Sequence, residues 1–124
     1  MGRYDWIDGY CVAKKGVVKD YKPEWDAVRY RVGEKMFAMQ GGDKEGRPII
    51  TVKLEPTQGA LLRSRYSDIV PGYYMNKEHW NSLYLEGTVP DETVREMLDS
   101  AYAVVFASLS GKVRRELEEG NREK

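Results

Sequence analysis

The segment from Val28 to Met39 constrains the fold more than any other part of the sequence. Val28, Tyr30 and Val32 alternate with two arginines, which is the pattern of a strand with one buried face. Gly33-Glu34 then offers a two-residue turn with glycine first, as a type II′ hairpin requires. The pairs across this hairpin would be Val32–Lys35, Tyr30–Phe37 and Val28–Met39. Because opposite residues share a face, Met39 is predicted to join the same apolar patch as Tyr30.

The segments around the hairpin complete an α+β pattern. Apolar residues at helical spacing predict a helix from Arg3 to Lys14 and a last helix from Thr88 to Leu109. A third strand is predicted over 49–54, a short helix from Pro56, and two extended segments over 73–75 and 79–85. The predicted order is α-β(3)-α-β(2)-α. It corresponds to a two-layer sandwich, an antiparallel sheet with helices on one face.

Length and composition predict one domain. The chain has 124 residues, 41% of them hydrophobic and 32% charged, as in soluble globular proteins. We expect the domain to span residues 3–109. Residues 110–124 form a charged C-terminal tail, predicted to be a frayed helix or disordered, and removal of residues 112–124 should change the melting temperature little.

Several classes of site and location are excluded or disfavoured by composition. The single cysteine, Cys11, excludes a disulfide framework and multi-cysteine zinc sites, and the single histidine, His79, excludes paired-imidazole metal sites. No metal or cofactor is predicted. The N-terminus lacks the apolar core of a signal peptide, and no uncharged run reaches the roughly 20 residues of a membrane span. We therefore expect a cytoplasmic protein with no membrane partner.

One short segment carries most of the specificity in this sequence. Residues 70–81 read Val-Pro-Gly-Tyr-Tyr-Met-Asn-Lys-Glu-His-Trp-Asn, and they resemble the signature of the MmcQ/YjbR family of small bacterial proteins. The hairpin segment 32–38 and the start of the last helix, 87–92, agree with that family pattern. One departure is Tyr74, where the family pattern has histidine. The resemblance implies a fold like that of the secretion chaperones, with the element order given above, and a DNA-binding function.

The residues that could contact nucleic acid lie on two predicted surfaces. The motif supplies Lys77 and His79 for phosphate, Asn76 and Asn81 for base edges or phosphate, and Tyr74 for base stacking. The uncovered sheet face supplies Arg29, Arg31 and Lys53. Structural roles compete with these assignments. An asparagine at position 76 can shape a turn, Trp80 can anchor the core, and a basic row on a solvated face is expected for solubility alone.

The charge distribution leaves three functions open. Residues 14–53 hold ten basic against six acidic side chains, and residues 86–99 hold one against five. Weak, sequence-independent DNA binding is the first hypothesis, although a pI near 6.6 counts against it. The second is a protein-interaction module, dimeric or not. The third is a small-ligand or enzyme role at His79. No catalytic constellation is recognisable, so an enzyme is not predicted.

Overall fold

A computed structural model describes residues 3–72 and 76–122, in which a six-stranded antiparallel sheet carries helices on one face. The elements are α1 (Ile7–Val12), β1 (Val17–Lys22), β2 (Ala27–Val32), β3 (Lys35–Gly42), β4 (Pro48–Lys53), α2 (Pro56–Arg65), β5 (Ile69–Pro71), β6 (Trp80–Tyr84), α3 (Asp91–Ser108) and α4 (Gly111–Arg122). The strands lie in the order β1-β2-β3-β4-β6-β5. The predicted α+β class is confirmed.

The sheet differs from the predicted five strands in two respects. Residues 73–75, predicted to be extended, lie outside the described residues, and the strand that pairs with β6 at the sheet edge is Ile69–Pro71. One further strand was not predicted. The additional strand is β1, which pairs with β2 at the edge of the sheet. Its sequence, Val-Val-Lys-Asp-Tyr-Lys, does not alternate, and none of its side chains is fully buried. Charged side chains on an edge strand discourage pairing with another chain. The sequence pattern did not predict β1 because none of its side chains is fully buried in the core, so the strand carries no hydrophobic alternation.

The β2–β3 hairpin contains a bulge that the sequence pattern did not predict. Val32 pairs with Lys35 as expected, but the register shifts between Tyr30 and Arg31, so that Tyr30 pairs with Ala38. Phe37 is therefore an extra residue in β3. The shift makes Met39 the partner of Arg29 and moves it to the sheet face opposite Tyr30, which corrects the predicted apolar patch.

The turn of this hairpin also differs from the predicted type. Both Gly33 and Glu34 have positive φ, at 57° and 73°. Positive φ at both central positions is the signature of a type I′ turn, whereas type II′ has it at the first position only. Glycine is needed at position 33 for a second reason, because a Cβ there would lie 2.7 Å from Leu109 Cδ1.

The core lies between the sheet and the helices. The predicted stripe of the last helix is buried on α3, comprising Val94, Met97, Leu98, Ala101 and Val105. This helix packs on β3 and β4, where Phe37 meets Tyr102 edge-on with ring centroids 5.6 Å apart. Cys11 is fully buried in the same core. Among the described residues, no helix combines the length and hydropathy of a membrane span.

The segment after α3 continues as a helix that contacts the core. Val113 and Leu117 of α4 are half-buried against the core cluster. Leu117 covers the turn at Gly16, where a Cβ would lie 3.0 Å from Leu117 Cδ2. Val113 lies over Gly33 in the same way. These contacts revise the expectation that the segment can be removed at little cost.

We expect a chain truncated after Ser110 to be less stable by about 1–2 kcal/mol, because two partly buried aliphatic side chains are lost. This corresponds to a decrease in Tm of roughly 5 °C for a domain of this size. Leu117→Ala should reproduce much of the loss, and the matched variant Glu116→Ala, at an exposed position of the same helix, should not. Equal melting curves for all three variants and the parent would contradict the packing role of α4.

We expect Cys11 to be unreactive in the folded protein. Burial raises the pKa of its thiol to about 12, so the reactive thiolate is scarce at pH 8. A thiol-specific chromogenic reagent should label the native chain no faster than it unfolds, and should label it completely in guanidinium chloride. Rapid labelling under native conditions would show that Cys11 is accessible.

Candidate functional site

The turn between β5 and β6 is shaped by Asn76. Its side-chain Oδ1 accepts a hydrogen bond from the Glu78 backbone N at 2.8 Å, and its backbone O accepts one from Trp80 N at 3.0 Å. This arrangement leaves Lys77 exposed and His79 half-exposed. Asn76 therefore has a structural role in the turn that presents Lys77. Tyr74, predicted to stack on a base, lies outside the described residues.

Asn81 is not available to a ligand. It is fully buried on the helix-covered side of β6. Its Oδ1 accepts a hydrogen bond from the Arg63 guanidinium, and its Nδ2 donates to the His79 backbone O at 3.2 Å. Gly59 of α2 makes room for it, since a Cβ there would lie 2.9 Å from the Asn81 amide. This corrects the expectation that Asn81 contacts nucleic acid. Its amide instead joins α2 to the sheet.

The predicted basic row lies on the sheet face without described helices, which we call the open face, but its arginines are paired. Arg29 donates to both oxygens of Asp20, at 2.8 and 2.7 Å, and Arg31 lies 3.0 Å from the same carboxylate. The hydrogen bond from Arg29 holds the pKa of Asp20 below its usual range. Arg31 also reaches Glu34 at 3.3 Å. The two arginines therefore offer little unneutralised charge to a phosphate backbone.

Lys53 and Lys77 differ from these arginines. Lys53 is half-buried opposite Trp80 across the β4–β6 ladder, and Lys77 is exposed. Neither forms an ion pair with another described residue. His79 lies in the same region, because its backbone O accepts a hydrogen bond from Leu54 N at 2.7 Å. Lys53, Lys77 and His79 therefore lie near one end of the sheet.

The centre of the open face carries uncharged side chains, which the sequence pattern did not predict. One row of side chains crosses all six strands, formed by Asp20, Arg29, Met39, Thr51, Ser82 and Val70. Thr51 is buried, and its hydroxyl lies 2.8 Å from that of Ser82, so the two satisfy each other. The charged residues of this row, Asp20 and Arg29, lie on β1 and β2.

A depression lies beside this row, at the opposite end of the open face from Lys53. It has a volume of about 380 Å³. We call it the Trp25 pocket; its lining residues are Glu24, Trp25, Ala27, Met39, Gly41, Gly42 and Ile49. Ala27, Met39 and Ile49 are only 3%, 5% and 2% exposed, yet they do not belong to the core cluster beneath the helices. They form a separate apolar floor on the open face.

Trp25 forms one wall of this pocket and is held on a braced turn. Its backbone N donates to Lys22 O at 3.1 Å, and Asp26 N donates to Pro23 O at 3.2 Å. Asp26 adopts a positive φ of 50° and accepts a hydrogen bond from Tyr21 OH at 2.6 Å. The indole of Trp25 is nevertheless 49% exposed. A tryptophan in the Pro-Glu-Trp-Asp turn was the sequence signal that could have identified it.

A second, smaller depression of about 150 Å³ adjoins the pocket through Ile49. The β3–β4 loop borders it, and Asp43 organises that loop by accepting hydrogen bonds at 2.9 Å from the backbone N of Glu45 and of Arg47. The Arg47 guanidinium lies 4.6 Å from the ring centroid of Tyr84. No group of three side chains that could hold a metal ion occurs among the described residues. The geometry is therefore that of a shallow apolar trough with ordered walls.

Releasing the paired arginines should increase the affinity of the open face for polyanions. In Asp20→Asn, Arg29 loses its carboxylate partner and Arg31 loses one of two. We expect binding to a short DNA duplex to become tighter, with a log–log salt slope steeper by about one unit. Fluorescence anisotropy over a range of salt concentrations measures this slope.

The control for that variant is Glu119→Gln on α4, which changes net charge equally at an exposed position. An equal response of the two variants would mean that net charge alone matters and that Asp20 does not restrain the arginines.

Comparison with known proteins gives consistent matches. A model of the YjbR family matches residues 12–104. The uncharacterized protein YjbR of Escherichia coli is 36% identical over 93 residues, covering 75% of this chain and 78% of the relative. The uncharacterized protein YyaQ of Bacillus subtilis is 28% identical over 102 residues, covering 72% of this chain and 86% of the relative. The crystal structure of Deinococcus radiodurans protein DR2400, with a DUF419 domain, superposes with a TM-score of 0.83 at 27% identity, covering 95% and 89% of the two chains.

Proposed function

We propose that this chain, which belongs to the YjbR family, is a protein-binding module whose contact surface is the open face around the Trp25 pocket. The observation that carries the proposal is the combination of a buried apolar floor and a half-exposed tryptophan on a face that no described helix covers. The relatives from Escherichia coli and Bacillus subtilis are named as uncharacterized, and the proposal therefore rests on the geometry of this chain.

Trp25 is the residue of the open face expected to contribute most to the binding of a partner. Tryptophan is among the residues most enriched in the few positions that dominate protein–protein binding energy. Such positions lie beside well-packed apolar groups, as Trp25 does beside Met39 and Ile49. The braced turn fixes the backbone of Trp25 before binding, which reduces the entropy lost on association. A partner would therefore gain most of its contact energy at this end of the open face.

Nucleic-acid binding is less well supported by the same geometry. Arg29 and Arg31 share Asp20, and Arg47 is paired with Asp43 at 2.9 Å. Of the cations predicted to contact nucleic acid, only Lys53 and Lys77 form no ion pair with another described residue. Lys53 lies four residues along β4 from Ile49, about 13 Å at the usual rise per strand residue. The apolar pocket and the free cations are thus separate features, and a duplex would use only the second.

The role of His79 as a ligand or catalytic centre has little support from its surroundings. Its ring forms no hydrogen bond or ion pair with another described residue, and it lies outside both depressions. A general base needs a partner or a substrate cleft within reach. The arrangement around His79 offers neither among the described residues.

The proposal is tested by selecting a phage-displayed library of random linear peptides on the immobilised chain. We expect the parent to enrich peptides whose affinity falls about 30-fold in Trp25→Ala, the effect of losing roughly 2 kcal/mol at a dominant contact residue. Affinities are measured with the synthetic peptides by fluorescence anisotropy.

Leu61→Ala is the matched control, since Leu61 is an exposed aliphatic residue on α2, 56% accessible and away from the open face. Its peptide affinities should stay within twofold of the parent. Enrichment that is indifferent to Trp25→Ala would overturn the proposal. So would the absence of enrichment together with DNA binding that is lost in the double variant Lys53→Ala, Lys77→Ala.

A further inference from the structure

The geometry points to an uncharged aromatic side chain of the partner as the group that fills the Trp25 pocket. This inference rests on the proposed function and adds the chemistry of the occupant. It follows from the size of the pocket, its lining, and the charges at its rim.

The size of the pocket suits one ring. Its volume of about 380 Å³ lies at the lower end of the range of roughly 300–1,000 Å³ found for ligand pockets. Gly41 keeps the floor low, because a Cβ there would already lie 3.2 Å from Ala27 Cβ.

The lining favours an apolar, flat group. Glu24 is the only charged residue among the lining side chains. Trp25 offers an indole face or edge, and aromatic pairs gain from offset or edge-on contact. Met39 offers a flexible thioether, which adapts to the shape of a ring and contacts it favourably. Both groups would contact a ring more closely than a polar side chain.

The charges at the rim disfavour an ionic occupant of either sign. Lys22 Nζ lies 5.4 Å and Arg29 Cζ 6.0 Å from the Trp25 ring centroid, so these two charges would repel a cation that approached the indole. An anion would meet Glu24, and it would compete with Asp20 for Arg29. A neutral ring avoids both costs.

The test uses N-acetyl-L-tryptophanamide as the probe of a neutral aromatic side chain. We expect it to shift the backbone amide resonances of Gly41 and Gly42 in ¹H–¹⁵N spectra of the full chain, with a dissociation constant in the millimolar range. The N-acetyl amides of lysine and aspartate should produce shifts at least fivefold smaller at equal concentration.

Two variants locate the site. Ala27→Val fills the floor with two methyl groups at a strand position and should weaken the probe at least fivefold. Leu61→Ala, on α2 and outside the pocket, should leave the affinity within twofold. Circular dichroism and the unperturbed resonances of α3 report whether each variant keeps its fold, and Trp25→Leu provides a second way to remove the ring contact if Ala27→Val does not fold.

The outcomes separate this inference from the proposed function. Trp25-dependent peptides together with no probe shift at Gly41 and Gly42, or with an equal response to the charged amides, would overturn the inference and leave the binding module standing. Light scattering of the chain alone measures whether it forms a dimer. A dimer that dissociates in Trp25→Ala would mean that a second copy, rather than another protein, covers the pocket, and would overturn the assignment of the occupant to a partner protein.

Discussion

The bulge at Phe37 decides which side chains reach each face of the sheet. Because β3 accommodates one extra residue there, Phe37 and Ala38 both lie in the core beneath the helices, and Met39 lies on the other face. Burial of a phenylalanine side chain contributes about 1.5–3 kcal/mol, which exceeds the roughly 0.5–1.5 kcal/mol of one ladder hydrogen bond. Packing against α3 thus stabilises an irregular ladder. Without the irregularity, Met39 would join the core, and the Trp25 pocket would lose its floor.

Much of the fold was predictable from local patterns. The stripe on α3 and the alternation of β2 each identify one buried face, and both agree with the structure. The bulge was not predictable in this way, because Met36 to Met39 form a run of four residues without a polar position, which is compatible with either register. Strand β1 was missed for the opposite reason. It is held by backbone pairing with β2 and by the ion pairs of Asp20. Neither interaction requires apolar residues at alternate positions of the sequence.

The candidate site was less predictable, because a count of charges does not contain their pairing. The excess of basic residues over 14–53 is real, yet Asp20 lies directly opposite Arg29 in the β1–β2 ladder. This pairing depends on the register of β1 against β2, and the sequence pattern did not predict β1. Asn81 shows the same limitation, since its burial depends on Gly59 of α2, more than twenty residues earlier in the chain. Residues near a specific motif can therefore serve the fold alone.

The buried residues of the open face and the core beneath the helices lie on opposite sides of the same strands. Ala27, Met39 and Ile49 pack with one another and with Trp25, whereas the helices pack on the other side of the same strands. A substitution on the open face changes contacts within the trough and leaves the apolar area beneath α3 unchanged, and mutational effects at sites without shared partners are close to additive. The solved structure from Deinococcus radiodurans keeps the fold at 27% identity. In this two-layer sandwich the helix-covered face holds the larger apolar cluster, and the open face adds a smaller one around Ala27, Met39 and Ile49.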